Sequence, residues 1–246
     1  MAKIYKMNND LIREYNAAKK KLINCWLCFF GIAAVVMLSG LLFRTPILFG
    51  NLPVTLLVIA FISAKYKNEM EILYAGIEGE QNSAKLISRL PDTYCAFQNL
   101  KIKFDEKMSE TDLVLVGPTG IFIIEIKNLN GQIVGSYDAQ YWTQHKVGRG
   151  GTPYSKKLYS PIKQVGTHVY RLANVLRKNG IRAYVNACVF FSNDECELNL
   201  SGNIQKTPVF NDIDDLYRHI LNFGNSLPNE EISKICKLLL GKNICR

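Results

Sequence analysis

The chain is predicted to fold as a mixed α/β domain, in the order helix, three strands, helix, strand, preceded by an α-helical transmembrane hairpin. Three observations predict this. Residues 111–128, TDLVLVGPTGIFIIEIKN, hold two alternating apolar runs around Gly117-Pro118-Thr119-Gly120, the pattern of two strands joined by a tight turn. Residues 161–178 open on Pro161 and place Ile162, Val165, Val169, Leu172 and Leu176 on one helical stripe, and an apolar run follows at 183–191. Residues 22–43 contain no charged side chain, and residues 46–64 form a second apolar run.

Residues 1–21 read as a polar cytoplasmic segment, in which Lys3, Lys6, Arg13, Lys19, Lys20 and Lys21 outnumber Asp10 and Glu14. Residues 22–64 read as the hairpin. Its first run, at 1.5 Å per residue, is long enough to cross a hydrocarbon core of about 30 Å. It is longer than the apolar region of a signal peptide, and no small-residue cleavage site follows. Arg44 interrupts the apolar sequence, and Gly50, Asn51 and Pro53 break the second run, so regular helix is expected only from about Pro53. A re-entrant or interfacial segment is the alternative to a second full span. Lysines before the first run, with Lys65 and Lys67 after the second, put both flanks in the cytoplasm by the positive-inside rule; Arg44 in the outer turn is the exception.

Residues 65–206 are expected to form the main domain, and 207–246 a helical extension packed on it. A helix is read over 74–90, ended by Pro91, then a strand over 94–104, a polar turn, and the central hairpin. Residues 131–134 and 141–147 read as short strands or an irregular excursion, and Gly148, Gly150 and Gly151 as a flexible loop. A short strand at 208–210 and helices at 212–222 and 230–240 close the chain. The seven cysteines are scattered among 246 residues and read as reduced thiols, which speaks against a disulfide framework or a zinc site.

The central hairpin also carries chemistry. With Gly117 opposite Gly120, Val116 faces Ile121, Val114 faces Ile123 and Asp112 faces Glu125. Alternation puts Lys127 on the same face. Two carboxylates opposed at the end of an apolar face repel unless a proton or a hard cation lies between them. The plain alternative is a charged, solvated strand end, with Lys127 in a salt bridge to Glu125 or Glu110. A second signal is electrostatic. The formal net charge is +9, and no acidic residue occurs between Asp138 and Asp194. That interval holds Lys146, Arg149, Lys156, Lys157, Lys163 and Arg171, interleaved at its start with Tyr141, Trp142, Tyr154 and Tyr159. Basic side chains neutralise phosphates and aromatic faces stack on unpaired bases. A basic surface drawn to anionic lipid is the competing interpretation.

These residues resemble the PD-(D/E)XK nuclease superfamily and, within it, the NERD (nuclease-related) domain. The matching features are Gly76-Ile-Glu-Gly-Glu80, Thr111-Asp112, Gly120-Ile-Phe-Ile-Ile-Glu-Ile-Lys-Asn128 followed by Gly131, and Ser160-Pro-Ile-Lys-Gln164. Thr111 stands where the superfamily's name has proline. The resemblance implies a restriction-endonuclease-like core and metal-dependent phosphodiester hydrolysis. It implies that Glu80, Asp112, Glu125 and the backbone carbonyl of Ile126 hold Mg²⁺ or Mn²⁺, with Lys127 and Gln164 at the reacting phosphate. The partners expected are nucleic acid, DNA ahead of RNA, and the lipid bilayer; a homo-oligomer is left open, without an argument for it in the sequence. A non-catalytic, membrane-tethered binding module for nucleic acid or another partner is the alternative.

Overall fold

The computed structural model describes residues 2–6, 10–43, 52–148, 150–203, 207–224 and 226–241. The chain divides into two compact units, one of residues 1–8 and 79–246, the other of residues 9–78.

The second unit is a helical hairpin. Helix α1 is Asp10–Phe43 and helix α2 begins at Leu52, beside the Pro53 that suits a first helical turn. Near their polar ends, Leu11 lies against Gly76 and the rings of Tyr15 and Tyr74 are 6.3 Å apart, so the helices run antiparallel. Residues 11–40 of α1 are long and apolar enough to cross a membrane. Leu27, Phe30, Val35, Leu38, Leu57 and Phe61 are each between 61% and 77% exposed. The turn expected around Arg44 lies outside the described residues.

The larger unit is built on a six-stranded mixed sheet. Its strands are β1 (Lys3–Lys6), β2 (Cys95–Phe104), β3 (Lys107–Gly117), β4 (Gly120–Lys127), β8 (Val185–Phe191) and β10 (Val209–Phe210), hydrogen-bonded in the order β1-β2-β3-β4-β8-β10. Pairing is antiparallel in the β2-β3-β4 meander and parallel elsewhere. The ladder matches Val114 with Ile123, Val116 with Ile121 and Gly117 with Gly120, the register expected from sequence. Gly117 is required by packing, because a Cβ there would overlap the Tyr94 ring. The turn is tied down by Thr119, whose Oγ1 lies 2.7 Å from the Tyr94 hydroxyl and donates to the Ile220 carbonyl.

Helices cover both faces. Val114, Val116, Ile121 and Ile123 face α3 (Pro161–Lys178) and α5 (Asn229–Leu240), through Val165, Leu172, Ile235 and Leu239. Leu113, Leu115, Phe122 and Ile124 face the last turns of α2, through Leu86 and Ile87, and α4 (Ile213–Leu221), through Leu216 and Ile220. This is the α/β core of helix, three strands, helix and strand.

Three features differ from the sequence expectation. Residues 3–6, read as part of a polar lead segment, are an edge strand: β1 runs parallel to β2, and the Ala2 amide donates to the Leu90 carbonyl. Helix α2 continues unbroken to Arg89, so no loop separates the apolar run from the helix that covers the sheet. The excursion after the central hairpin is a second sheet in the order β7-β6-β5-β9, formed by β5 (Gly131–Ser136), β6 (Tyr141–Val147), β7 (Pro153–Tyr159) and β9 (Cys196–Ser201). Trp142 fixes it to the core by stacking on Phe191 at 6.3 Å, and within the second sheet its indole N–H donates to the Ser136 carbonyl.

Candidate active site

The site forms where β3 and β4 reach the end of the apolar face under α3. The β3–β4 ladder ends at the Leu113–Ile124 pair. One step further Asp112 lies opposite Glu125, and its Oδ2 accepts from the Ile126 amide at 2.7 Å, replacing a backbone partner by a side chain. On the other side of β3, the register with β2 places Asn99 opposite Asp112. Asn99 has φ of 54°, the left-handed conformation that Asn tolerates better than most residues. Thr111, at the position of the superfamily's proline, is fully buried and donates to the Leu100 carbonyl at 3.1 Å.

Glu125 is 1% exposed. Its Oε1 accepts from Lys127 Nζ at 2.7 Å, and Lys127 Nζ also donates to Gln164 Oε1 at 3.1 Å. Gln164 stands in the first turns of α3, so this bond joins the helix to the strand end. Of the two salt bridges considered for Lys127, the one to Glu125 forms; Glu110 pairs with Lys101 across β2–β3, at 3.7 Å. Glu125 Oε2 is 3.5 Å from His168 Nε2, outside hydrogen-bonding geometry, and both atoms are buried without a hydrogen-bond partner. His168 lies one helical turn beyond Gln164 on α3 and is not among the site residues expected from the sequence. Only its burial against Glu125 marks it out.

The electrostatics follow. The Asp112 carboxyl is pushed up to about 7 by withdrawal from water first and by the charge of Glu125 second; the Ile126 amide, Lys127 and His168 oppose the rise. A carboxylate pair with this much strain, and one orphaned buried oxygen, suits a divalent cation. Mg²⁺ in particular takes one or two carboxylates and keeps several waters. Among the described residues no three His, Cys, Asp or Glu side chains cluster as a complete metal site. Glu80, the further carboxylate implied by the resemblance, lies in α2, and its side chain is outside the described residues. Its neighbour Gly79 comes beside Asn128, just past Lys127: a Cβ on Gly79 would be 3.7 Å from that of Asn128. At Ile126 the amide is committed to Asp112.

The basic residues are distributed less simply. Lys163 is exposed on the first turn of α3. Arg171 donates to the Met108 carbonyl at 3.3 Å and so braces β3. Lys146 lies 5.6 Å from the Tyr154 ring centroid. Lys156 and Lys157 pair with Gln144 and Thr143 across β6–β7 and therefore point to opposite faces of that hairpin. Arg149 is outside the described residues.

A mixed sheet with helices on both faces, and Asp112, Glu125 and Lys127 together where its central strands end, define a nuclease-like α/β core. Residues 75–192 match the model of the nuclease-related domain, NERD, and this domain of the chain belongs to that family. An uncharacterized protein of Bacillus anthracis is 22% identical over 173 residues, covering 70% of this chain and 78% of that protein.

Proposed function

We propose that the protein is a membrane-anchored, divalent-cation-dependent nuclease that hydrolyses phosphodiester bonds in nucleic acid, DNA ahead of RNA, at the cytoplasmic face. The observation that carries this reading is the opposed Asp112–Glu125 pair, with the Asp112 carboxyl pushed up to about 7 beside a buried glutamate. A binding module has no use for such repulsion.

Asp112 and Glu125, with the Ile126 carbonyl and Glu80, would hold Mg²⁺ or Mn²⁺. When bound, the cation supplies positive charge to the phosphate and lowers the pKa of a water nucleophile. Lys127, fixed by Glu125 and Gln164, presents its ammonium to phosphate oxygens as charge builds on them. The Gln164 carbonyl oxygen is engaged by Lys127, which aims the amide nitrogen of the same group as a donor to phosphate or water.

The anchor is α1 with the apolar part of α2. The chain leaves the sheet after β1 and returns to it along α2, so a membrane-crossing hairpin crosses an even number of times. The lysines flanking both ends favour the cytoplasm for the catalytic unit. The test is incubation of the full chain in detergent with DNA and RNA, with chelator, Mg²⁺ or Mn²⁺. Cleavage only with metal, abolished by Glu125→Gln in a folded protein, is expected. No cleavage with either ion, or wild-type rates in the variant, overturns the proposal.

A further inference from the structure

The outer face of the β6–β7 hairpin plays no part in the chemistry above. Alternation sends Trp142, Gln144 and Leu158 inward, where Trp142 and Gln144 are buried. It sends Tyr141, Thr143, His145, Ser155, Lys157 and Tyr159 outward. Tyr141 and Tyr159 are directly opposed, each 44% exposed, with ring centroids 5.8 Å apart at 76°. Lys157 Nζ lies 3.8 Å from the centroid of the Tyr141 ring. Two large aromatic rings and a lysine therefore stand on the solvent side of a hairpin that is anchored from its other face by Trp142 and by the Gln144 bond to the Asn130 carbonyl.

We infer that Tyr141 and Tyr159, with Lys157, form a stacking surface for an unpaired nucleic-acid strand, so that the enzyme acts on single-stranded or frayed substrate. The inference rests on the nuclease reading for its connection to cleavage, but the surface stands on its own geometry. Every base offers a π-face, whereas in a duplex those faces are occupied by neighbouring bases; aromatic rings on a sheet therefore select unpaired strands without reading sequence. Lys157 supplies a phosphate partner beside the rings, in a segment with no acidic residue from 139 to 193. The position relative to the chemistry is suitable. Tyr159 ends β7, Ser160 caps α3, and Gln164 in the first turns of α3 bonds Lys127. Five residues span at most about 17 Å, so bases stacked at Tyr159 lie within a few nucleotides of the carboxylates.

The test is fluorescence anisotropy of labelled oligothymidine, oligouridine and a blunt DNA duplex with the full chain in detergent and chelator, alongside cleavage with Mg²⁺. Tyr141→Leu and Tyr159→Leu keep apolar bulk but remove the ring; each should weaken binding of both single strands by roughly 5- to 150-fold and change duplex binding less than about twofold. Tyr141→Phe should bind as the wild type does. Undiminished single-strand affinity in both Leu variants overturns the inference, as does equal loss for strand and duplex. Metal-dependent cleavage by a wild type whose Leu variants bind normally leaves the nuclease standing without this surface. Ring-dependent binding with no cleavage leaves the surface standing without the nuclease. Loss of one strand type only identifies DNA or RNA as the occupant.

Discussion

Asp112 titrates far from an ordinary aspartate, and the consequence for stability has a definite sign. Its carboxyl is raised from 3.8 to about 7. Between those values the folded protein retains a proton that the unfolded chain has released, so this group's contribution to stability is greatest below about pH 4 and is lost as pH rises to about 7. In chelator, the contribution of this group to the melting temperature should therefore decline over that window, and Asp112→Asn should flatten the decline. Each kcal/mol of relieved repulsion is worth about 2–4 °C in a chain of this size. Mg²⁺ at about pH 8 should raise the wild-type melting temperature and raise that of the variant less. Identical pH profiles for the two proteins would remove the repulsion on which the metal site depends. Lys127 and His168 separate by readout. Lys127→Met should keep the metal-induced rise in melting temperature and lose about 10²–10³-fold in turnover, since its proposed place is at the phosphate. His168→Leu preserves a buried apolar volume but removes the ring nitrogen beside Glu125 Oε2, and should weaken Mg²⁺ by about 10–100-fold, seen as a rightward shift in a metal titration of activity. If saturating Mg²⁺ leaves His168→Leu as slow as Lys127→Met, His168 acts on the reaction and not on the ligand.

Elements were legible where the pattern is local. The central hairpin was readable because its turn fixes the register and its two runs alternate with period two; helix α3 was readable from Pro161 and a single apolar stripe. Strand β1 was not, because four residues, KIYK, find their partner about ninety positions away at Cys95–Gln98. Strand β9 likewise pairs in parallel with β5 across more than sixty residues, and neither strand is apolar enough to announce a buried face. At the site, the opposed carboxylates and Lys127 followed from register alone, whereas Gln164 needed the family motif and the closeness of His168 to Glu125 needed the fold. The β6–β7 hairpin also separates its two neighbouring lysines. Adjacent in sequence, Lys156 and Lys157 point to opposite faces, so they are not equivalent. Lys157→Ala should weaken binding of single strands and lower the salt slope by about 0.7, the contribution of one phosphate contact. Lys156→Ala should do less on both measures. Equal effects would mean that the strand wraps both faces of the hairpin.

At the scale of the whole molecule, the decisive feature is that the apolar helices are inserted within the fold, after its first strand. Residues 1–8 belong with 79–246 in one unit, and residues 9–78 form the other. Strand β1 makes a parallel ladder with β2, from Lys3 opposite Cys95 to Lys6 opposite Gln98, and the Lys3 amide donates to the Tyr94 carbonyl at 2.9 Å. Strand pairing of this kind cannot form across a bilayer. A single crossing by α1 would strand β1 on the far side, and cleavage behind α1, as for a signal peptide, would discard a strand of the sheet and uncover the edge of β2. Both ends of the chain should therefore lie on one side of the membrane, and the proposed orientation, from the lysine flanks, makes that side the cytoplasm. Reporter fusions before Met1 and after Arg246 should both read as cytoplasmic, and a reporter inserted between Phe43 and Leu52 should read as external if α2 completes the second crossing. An internal reading at that insertion, with both termini inside, would leave α1 and α2 lying in the interface as a re-entrant pair. Termini on opposite sides would require β1 to leave the sheet in the membrane-bound protein. That outcome would overturn the hairpin and, with it, the cytoplasmic position proposed for the catalytic carboxylates.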